Sequence, residues 1–151
     1  MQSLIEVFHK NNYDDKKIAS IKTRLQAAGL KNIGQIIPSA LYQITGDYTK
    51  EQIQAMGAKL FADPVLQTYQ TALQKPKGFY KVQVWIRDSS SDVVGESVQG
   101  AIAAMGYHKP VSVRVANVFA IKGGFTKAQL EEAVKKTFVN EVLNKFIIEE
   151  F

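Results

Sequence analysis

The sequence predicts an α+β fold in which two tandem β-α-β-β-α(-β) repeats with antiparallel sheets pack together as an intramolecular pseudo-dimer. A shift of 77 residues aligns the two halves of the 151-residue chain without a gap, giving 14 identities in the 66 pairs formed by residues 5–70 and 82–147. Apolar periods and structure-breaking residues coincide under the same shift. A unit of about 70 residues rarely supplies enough core alone, which favours pairing of the two copies.

Each copy begins with a strand. In the second copy Val82, Val84 and Ile86 alternate with the polar residues Lys81, Gln83 and Arg87, which is the period of a half-buried strand. Ile5 and Val7 repeat the pattern in the first copy. Phe8 and Trp85 are equivalent under the shift and are out of phase with the core-facing residues. We therefore expect both rings on the opposite face of the sheet, covered by a loop or packed against another sheet.

A polar turn and a helix follow the first strand. The turns, residues 11–15 and 88–92, each end in an aspartate suited to cap a helix. Apolar residues then recur at helical spacing and stop at Gly29 and Gly106, as expected for helices that end at a glycine. These apolar positions are Ile18, Ile21, Leu25 and Ala28, matched by Val94, Val98, Ile102 and Met105.

Two extended segments are predicted next in each copy, before a second helix. They are Ile33–Ile37 and Leu41–Ile44, matched by Val111–Val115 and Val118–Ile121.

The second helix opens with the capping-box spacing Thr-x-x-Gln, at Thr49 with Gln52 and at Thr126 with Gln129. Pro64 cannot continue this helix in the first copy. A final extended segment, Val65–Tyr69 or Val142–Phe146, completes each unit.

These elements divide the chain into repeat 1 at residues 1–70, a linker at 71–78 and repeat 2 at 79–151. Residues 1–77 carry ten basic and six acidic side chains (+4), whereas residues 78–151 carry nine and eight (+1). Most of the basic excess therefore belongs to the first copy, which indicates unequal faces for unequal partners.

The composition excludes several classes of function. The chain has no cysteine, so it forms no disulfide and no cysteine-ligated metal site. His9 and His108 have no metal-ligand spacing, and the serines of residues 88–92 have no histidine or lysine placed to activate them. No phosphate-loop or dinucleotide motif occurs, and a charge of +5 is modest for a nucleic-acid binder. Without a long apolar run, we expect a cytoplasmic protein with no membrane segment.

Several segments, taken in order, resemble the PurS subunit of phosphoribosylformylglycinamidine synthase, and equally the PurS-like N-terminal region of the large single-chain form of that enzyme. In the second copy they are Val84–Ser97, Ala104–Tyr107, Val113–Val115 and Val118–Ile121; in the first, the most similar is Leu60–Tyr69. The resemblance covers almost the whole chain.

The resemblance implies a role without catalysis. PurS subunits dimerise and bridge an ATP-using synthetase subunit to a glutaminase subunit that releases ammonia. It follows that this chain is a tandem PurS-like subunit in purine biosynthesis, with synthetase and glutaminase subunits as partners. ATP and Mg²⁺ would belong to the synthetase, with no cofactor, nucleic acid or membrane bound by this chain.

Six residues are candidates for partner contacts. They are Asp63 and Tyr69 in the first copy, and Asp92, Gly95, Ser97 and Arg114 in the second. Structural roles compete with this interpretation: Asp92 as a helix cap, Gly95 as a small residue in a first turn, and Arg114 as a charge at the edge of the sheet.

An alternative function is open at this point, namely a tandem of ACT-like units that senses a small metabolite. The repeat and the capping boxes fit it almost as well, but residues 11–17 contain no glycine for the strand-to-helix turn that an amino-acid ligand needs. Further self-association of the pseudo-dimer also stays open.

Overall fold

The secondary structure follows the 77-residue period in a computed structural model that describes residues 1–10, 14–87 and 92–151. The first copy contains β1 (Gln2–His9), α1 (Asp15–Ala27), β2 (Ile33–Thr45), α2 (Lys50–Met56), a π-helical turn (Gly57–Phe61) and β3 (Gln67–Gln70). The second copy contains β4 (Tyr80–Ile86), α3 (Val93–Ala104), β5 (Ser112–Gly123), α4 (Lys127–Thr137) and β6 (Asn144–Glu150). None of the helices in these ranges has the length and apolar character needed to span a bilayer.

The six strands form one antiparallel sheet in the order β3-β1-β2-β5-β4-β6. Each copy contributes three neighbouring strands, and the order in the second copy mirrors the order in the first. In the central β2–β5 pair, Ala40 lies opposite Asn117, and these two residues are themselves related by the shift of 77. The register of the central pair is therefore centred on equivalent positions of the two copies.

The prediction of two extended segments between the helices was wrong in both copies. Residues 33–45 form one continuous strand, and so do residues 112–123. Pro38 interrupted the pattern in the sequence, but in the structure it pairs with Phe119, while the β1 pairing ends with Val7 opposite Ala40. Proline is tolerated where a strand has a neighbour on one side only, because its missing N–H is then not required by a second ladder.

The long central strands bring the helices of one copy onto the strands of the other. Ile21 and Leu25 of α1 pack with apolar residues of β4, β5 and α4. In the same way, Ile102 of α3 packs with residues of β1, β2 and α2. Each of these two helix-covered cores therefore contains elements of both copies, and either half of the chain alone would leave a helix without its core.

The predicted capping boxes and the glycines that end the first helices are confirmed. Thr49 and Thr126 both form complete capping boxes with the glutamine three residues later. Gly29 and Gly106 follow α1 and α3 with φ of 96° and 90°, in the left-handed region that favours glycine.

The opposite face of the sheet carries no helix in the described part of the chain. Its apolar centre consists of Leu41, Trp85, Ala116 and Val118, with Leu4 and Leu73 packed against it. Trp85 therefore lies on the face expected for it, and Leu73 belongs to the linker between β3 and β4. Since β1, β2 and β5 separate those two strands, the linker has to cross the sheet.

Candidate partner-binding surfaces

Asp92 is the N-cap of α3 and is buried, with 4% of its surface exposed. Its Oδ1 accepts a hydrogen bond from the Gly95 N–H at 2.8 Å and its Oδ2 accepts one from the Val115 N–H at 3.0 Å. The carboxylate thus ties the start of α3 to β5. In the first copy the predicted cap, Asp15, was wrong by one residue. The N-cap there is Asp14, and its side chain makes no cap hydrogen bond.

Gly95 allows α3 to approach the sheet closely. A Cβ atom on this residue would lie 2.0 Å from the carbonyl oxygen of Val113, a distance that no side chain tolerates. Of the three candidates in this turn, Ser97 is exposed, whereas Asp92 and Gly95 are buried and hold the helix in place. Residues 88–91, the rest of the predicted serine loop, lie outside the described residues, as do residues 11–13 of the equivalent turn.

Arg114 lies on β5 and is half-buried. Its Nη2 donates hydrogen bonds to the carbonyl oxygens of Ile86, at 2.5 Å, and Arg87, at 2.9 Å. The guanidinium therefore holds the end of β4 and also lines a cleft on the helix-free face.

Asp63 forms a turn that the second copy reproduces with Asn140. The Asp63 Oδ1 accepts from the Val65 N–H at 2.8 Å, and the Asn140 Oδ1 accepts from the Val142 N–H at 3.0 Å. The turns expose Val65 and Val142, at 71% and 78%. The replacement of aspartate by asparagine between the copies therefore leaves the turn unchanged.

Tyr69 lies on β3 with its ring against the π-helical turn. A Cβ on Gly57 would meet the ring at 2.4 Å, and the Tyr69 hydroxyl is 3.1 Å from the carbonyl oxygen of Gln54, to which it donates. The Tyr69 ring is half-buried, whereas Asp63 is exposed. The two residues are close in the chain, on the β3 side of the sheet. A partner-binding role for all six candidates stays a prediction.

A buried ion pair beneath the linker was missed at the sequence level. The Lys81 Nζ lies 2.6 Å from the Glu6 Oε2, and the two side chains are 2% and 0% exposed. The Ser39 hydroxyl donates to Glu6 at 2.6 Å and the Gln74 N–H donates to it at 2.7 Å, while the Lys81 ammonium donates to the Gln74 carbonyl oxygen at 2.6 Å. Strands of both copies and the linker therefore meet in one polar network.

Burial lowers the pKa of Lys81 below its usual 10.5, and the neighbouring Glu6 carboxylate opposes this shift. Removing an ammonium group from water thus outweighs its attraction to the carboxylate. The sequence did carry a signal: Glu6 and Lys81 are in phase with Phe8 and Trp85, on the face that was expected to be covered. The pairing itself could not be read from the sequence, because the two residues are 75 positions apart.

The equivalents of this pair are Gln83 and Leu4, and they lie in a different environment. They line a cleft of about 310 Å³, open to solvent, with Leu41, Leu73 and Trp85 among its apolar walls. The Trp85 indole N–H donates to the Gln83 side-chain oxygen at 3.0 Å, which fixes the ring at the base of the cleft. One half of the helix-free face is therefore closed by the linker, and the other half is open.

The exposed faces of α1 and α3 also differ. Helix α1 exposes Lys16, Lys17, Lys22 and Arg24 with a single acidic residue, Asp15. Helix α3 exposes Val93 and Val94, at 70% and 54%, and its one charged residue is Glu96. Equivalent positions of the two copies therefore present a basic surface on one side and a nearly uncharged surface on the other.

The described residues contain no group of three or more histidine, aspartate or glutamate side chains that could hold a metal ion.

His108 stacks on Tyr48 with ring centroids 4.5 Å apart, and the Tyr48 hydroxyl donates to the His108 carbonyl oxygen at 2.8 Å. Burial raises the pKa of Tyr48 above 10.0. His108 is itself exposed, and its ring lies against Tyr48 at the surface.

Residues 80–150 match a family model described as "PurS: Phosphoribosylformylglycinamidine (FGAM) synthase". This range starts with β4 and ends with β6, so it covers the whole second copy. No curated protein matches the chain.

Proposed function

We propose that the chain is the non-catalytic bridging subunit of FGAM synthase in purine biosynthesis, and the match of residues 80–150 to the PurS family model supports this proposal. In this proposal it holds an ATP-using synthetase subunit against a glutaminase subunit and shields the transferred ammonia from solvent. ATP and Mg²⁺ belong to the synthetase. This role implies a cytoplasmic location.

The observation that carries the proposal is the register of the central strands. Ala40 pairs with Asn117 at the centre of β2–β5, and the strand order on either side is mirrored. A two-fold axis through this pair would superimpose the first copy on the second. We therefore interpret the chain as a fused PurS-like pseudo-dimer, in which one polypeptide takes the place of two PurS subunits.

Fusion explains why the two copies differ in chemistry while keeping the same fold. In a homodimer, both chains must present identical patches. In a fused pair, each copy is free to adapt to its own neighbour, and here α1 is basic whereas α3 is nearly uncharged. Two unlike surfaces on one body are what a bridge between two unlike subunits needs.

The proposal is tested by reconstitution. The purified chain is mixed with its cognate synthetase and glutaminase in the presence of nucleotide and glutamine, and we expect co-elution and restored glutamine-dependent FGAM formation. Native mass spectrometry should find one copy of this chain at each position that two PurS subunits would fill. Failure to co-elute together with failure to restore activity contradicts the proposal.

The ACT-like alternative makes a different prediction. A metabolite sensor is stabilised by its ligand alone, because a molecule that binds only the folded state raises the apparent stability. Thermal unfolding is therefore measured with amino acids and nucleotides in the absence of the other subunits. We expect no saturable shift in the melting temperature; a saturable shift with one compound would favour sensing.

A further inference from the structure

Strand β6 forms one outer edge of the sheet, and in the described part of the chain no strand pairs with its far side. It has seven residues, Asn144–Glu150, with no proline, and its pairing with β4 has no bulge. Prolines, bulges and charges are the usual devices that keep an edge strand from pairing with another chain. The centre of β6 is apolar, with Phe146, Ile147 and Ile148 in succession, and its charged residues lie toward the two ends. The β6 edge is therefore able to accept a further strand.

The opposite edge of the sheet is blocked. Strand β3 has only four residues, Gln67–Gln70, and the chain then leaves the edge. Leu73, the equivalent of Glu150, packs instead on the centre of the helix-free face. Because each molecule has one long edge, pairing through it closes as a dimer and does not continue as a fibre.

Half of the backbone groups of β6 point away from β4. The Arg87 N–H donates to the Leu143 carbonyl oxygen at 2.7 Å, and the Phe151 N–H donates to the Phe79 carbonyl oxygen at 3.0 Å. Hydrogen-bonded pairs alternate along an antiparallel ladder, so residues 143, 145, 147, 149 and 151 direct their backbone groups to β4. Residues 144, 146, 148 and 150 direct theirs outward, and these four offer both an N–H and a C=O at the edge.

The β6 sequence is complementary to itself in one antiparallel register. When the two-fold axis passes through Ile147, this residue faces Ile147 of the second molecule, and Phe146 faces Ile148. No two glutamates lie opposite each other, which avoids the repulsion of like charges across a strand pair. Glu149 comes opposite Lys145, but Lys145 already interacts within its own chain, so no attraction between them is counted.

This register buries apolar surface on both faces of the sheet. Ile147 lies on the helix-free face and is 44% exposed. Its backbone groups point to β4, so the two Ile147 residues form a non-hydrogen-bonded pair, with Cα atoms about 4.5 Å apart and side chains in contact. Phe146 and Ile148 are half-buried against the helix-covered core and would extend that core across the new strand pair.

We propose that β6 pairs with β6 of a second molecule of the same chain, antiparallel and centred on Ile147, and joins two six-stranded sheets into one. The new ladder has about eight backbone hydrogen bonds. A single strand pair is small beside the roughly 800 Å² that each partner buries in a standard interface, so the dimer is weak and depends on concentration. The proposal goes beyond the bridging function, since β6 carries none of the six candidate residues.

The first test uses charges at the two-fold axis. Ile147→Lys and Ile147→Glu each place two like charges opposite each other, and sedimentation equilibrium between micromolar and millimolar concentrations measures the dissociation constant of the dimer. We expect each variant alone to raise it at least tenfold, and an equal mixture of the two to dimerise again because unlike charges then meet. Gln70→Lys, at the equivalent position on β3, should change it less than twofold. Urea unfolding checks that all variants fold.

The second test reads the register. The chain has no cysteine, so Ile147→Cys introduces a single thiol at the axis, where the Cα separation suits a disulfide. Glu149→Cys places a thiol on the same face two residues away, and the two thiols of such a dimer are too far apart to join. We expect the covalent dimer to form at least ten times faster with Ile147→Cys than with Glu149→Cys under the same mild oxidation.

Three outcomes overturn the inference without touching the bridging function. The first is a chain that stays monomeric up to millimolar concentration. The second is a dimer that neither charge variant weakens or that cross-links equally at both cysteine positions, because the contact then lies elsewhere. The third is a monomer whose binding to the synthetase or the glutaminase is weakened by Ile147→Lys and not by Gln70→Lys, because the β6 edge then pairs with that subunit.

Discussion

The two halves of the helix-free face have the same backbone and opposite surfaces. In one half, Glu6 of the first copy and Lys81 of the second are sealed beneath the linker in a hydrogen-bonded network. In the other half, the equivalent residues Gln83 and Leu4 line an open cleft. A duplicated fold therefore fixes where side chains lie without fixing whether the surface they form is buried or available.

The largest expected effect comes from breaking the buried ion pair. Lys81→Leu introduces the residue of the second half and leaves Glu6 as a buried, uncompensated charge, which should lower the free energy of unfolding by about 3 to 5 kcal/mol. The double variant Glu6→Gln with Lys81→Leu makes the first half chemically like the second and should recover most of this loss. Urea unfolding measures both. A double variant as unstable as the single one would show that the charges themselves are needed.

A second comparison concerns two glycines of α3, one packed closely against the sheet and one with open space around it. Gly95→Ala places a Cβ against the Val113 carbonyl and should cost about 2 to 3 kcal/mol. Gly100 lies in the same helix with open space around it, so Gly100→Ala should stabilise the protein by about 0.5 to 1 kcal/mol. Thermal unfolding measures the change in stability of each variant, and we expect the two changes to have opposite signs. Equal effects would mean that α3 shifts freely and that the close approach is unimportant.

We expect the linker to contribute less to the free energy of unfolding than the ion pair beneath it. Leu73 is half-buried against the centre of the face, and Leu73→Ala should cost about 1 to 2 kcal/mol, somewhat below the usual value for a fully buried leucine. Ile147→Ala, in the open half, should change stability by less than about 0.5 kcal/mol. Both are measured by urea unfolding. A larger loss at Ile147 than at Leu73 would reverse the assignment of closed and open halves.

The smallest expected effect is the pH dependence of folding stability that Lys81 causes. Its pKa in the folded protein lies below the unfolded value of 10.5, so between these two pH values the unfolded chain holds a proton that the folded protein has released. The stability of the unmodified protein relative to the Glu6→Gln, Lys81→Leu variant should therefore rise with pH across this window and be constant below it. Urea unfolding from pH 8 to 11 checks the sign. A fall would mean that Glu6 raises the pKa more than burial lowers it.

Features that depend on neighbours in the chain were predicted well. The capping boxes at Thr49 and Thr126 and the glycines after α1 and α3 lie where the sequence placed them. Long-range features were missed for a physical reason. Whether residues 33–45 turn back as a hairpin or continue as one strand is decided by the partner strand β5, which lies some 75 residues further along the chain.

The contacts of the candidate residues also divide into local ones, which the sequence predicted, and long-range ones, which it did not. The role of Asp92 as a helix cap follows from its position before α3, and it is confirmed. Its second hydrogen bond, to the Val115 N–H, depends on how α3 packs on β5. The Glu6–Lys81 pair depends entirely on packing, because its two residues lie on β1 and β4, separated in the sheet by β2 and β5.

By itself, the sequence determined the duplication, the type and order of most elements, the unequal charge of the two copies and the resemblance to PurS. These features are encoded in local pattern and in the 77-residue period. The tertiary structure alone decided that the copies share one sheet, that each core contains a helix of the other copy, and that the linker closes only half of the free face. Those outcomes depend on which surfaces meet, and a chain pattern does not specify contacts between residues that are 70 or more positions apart.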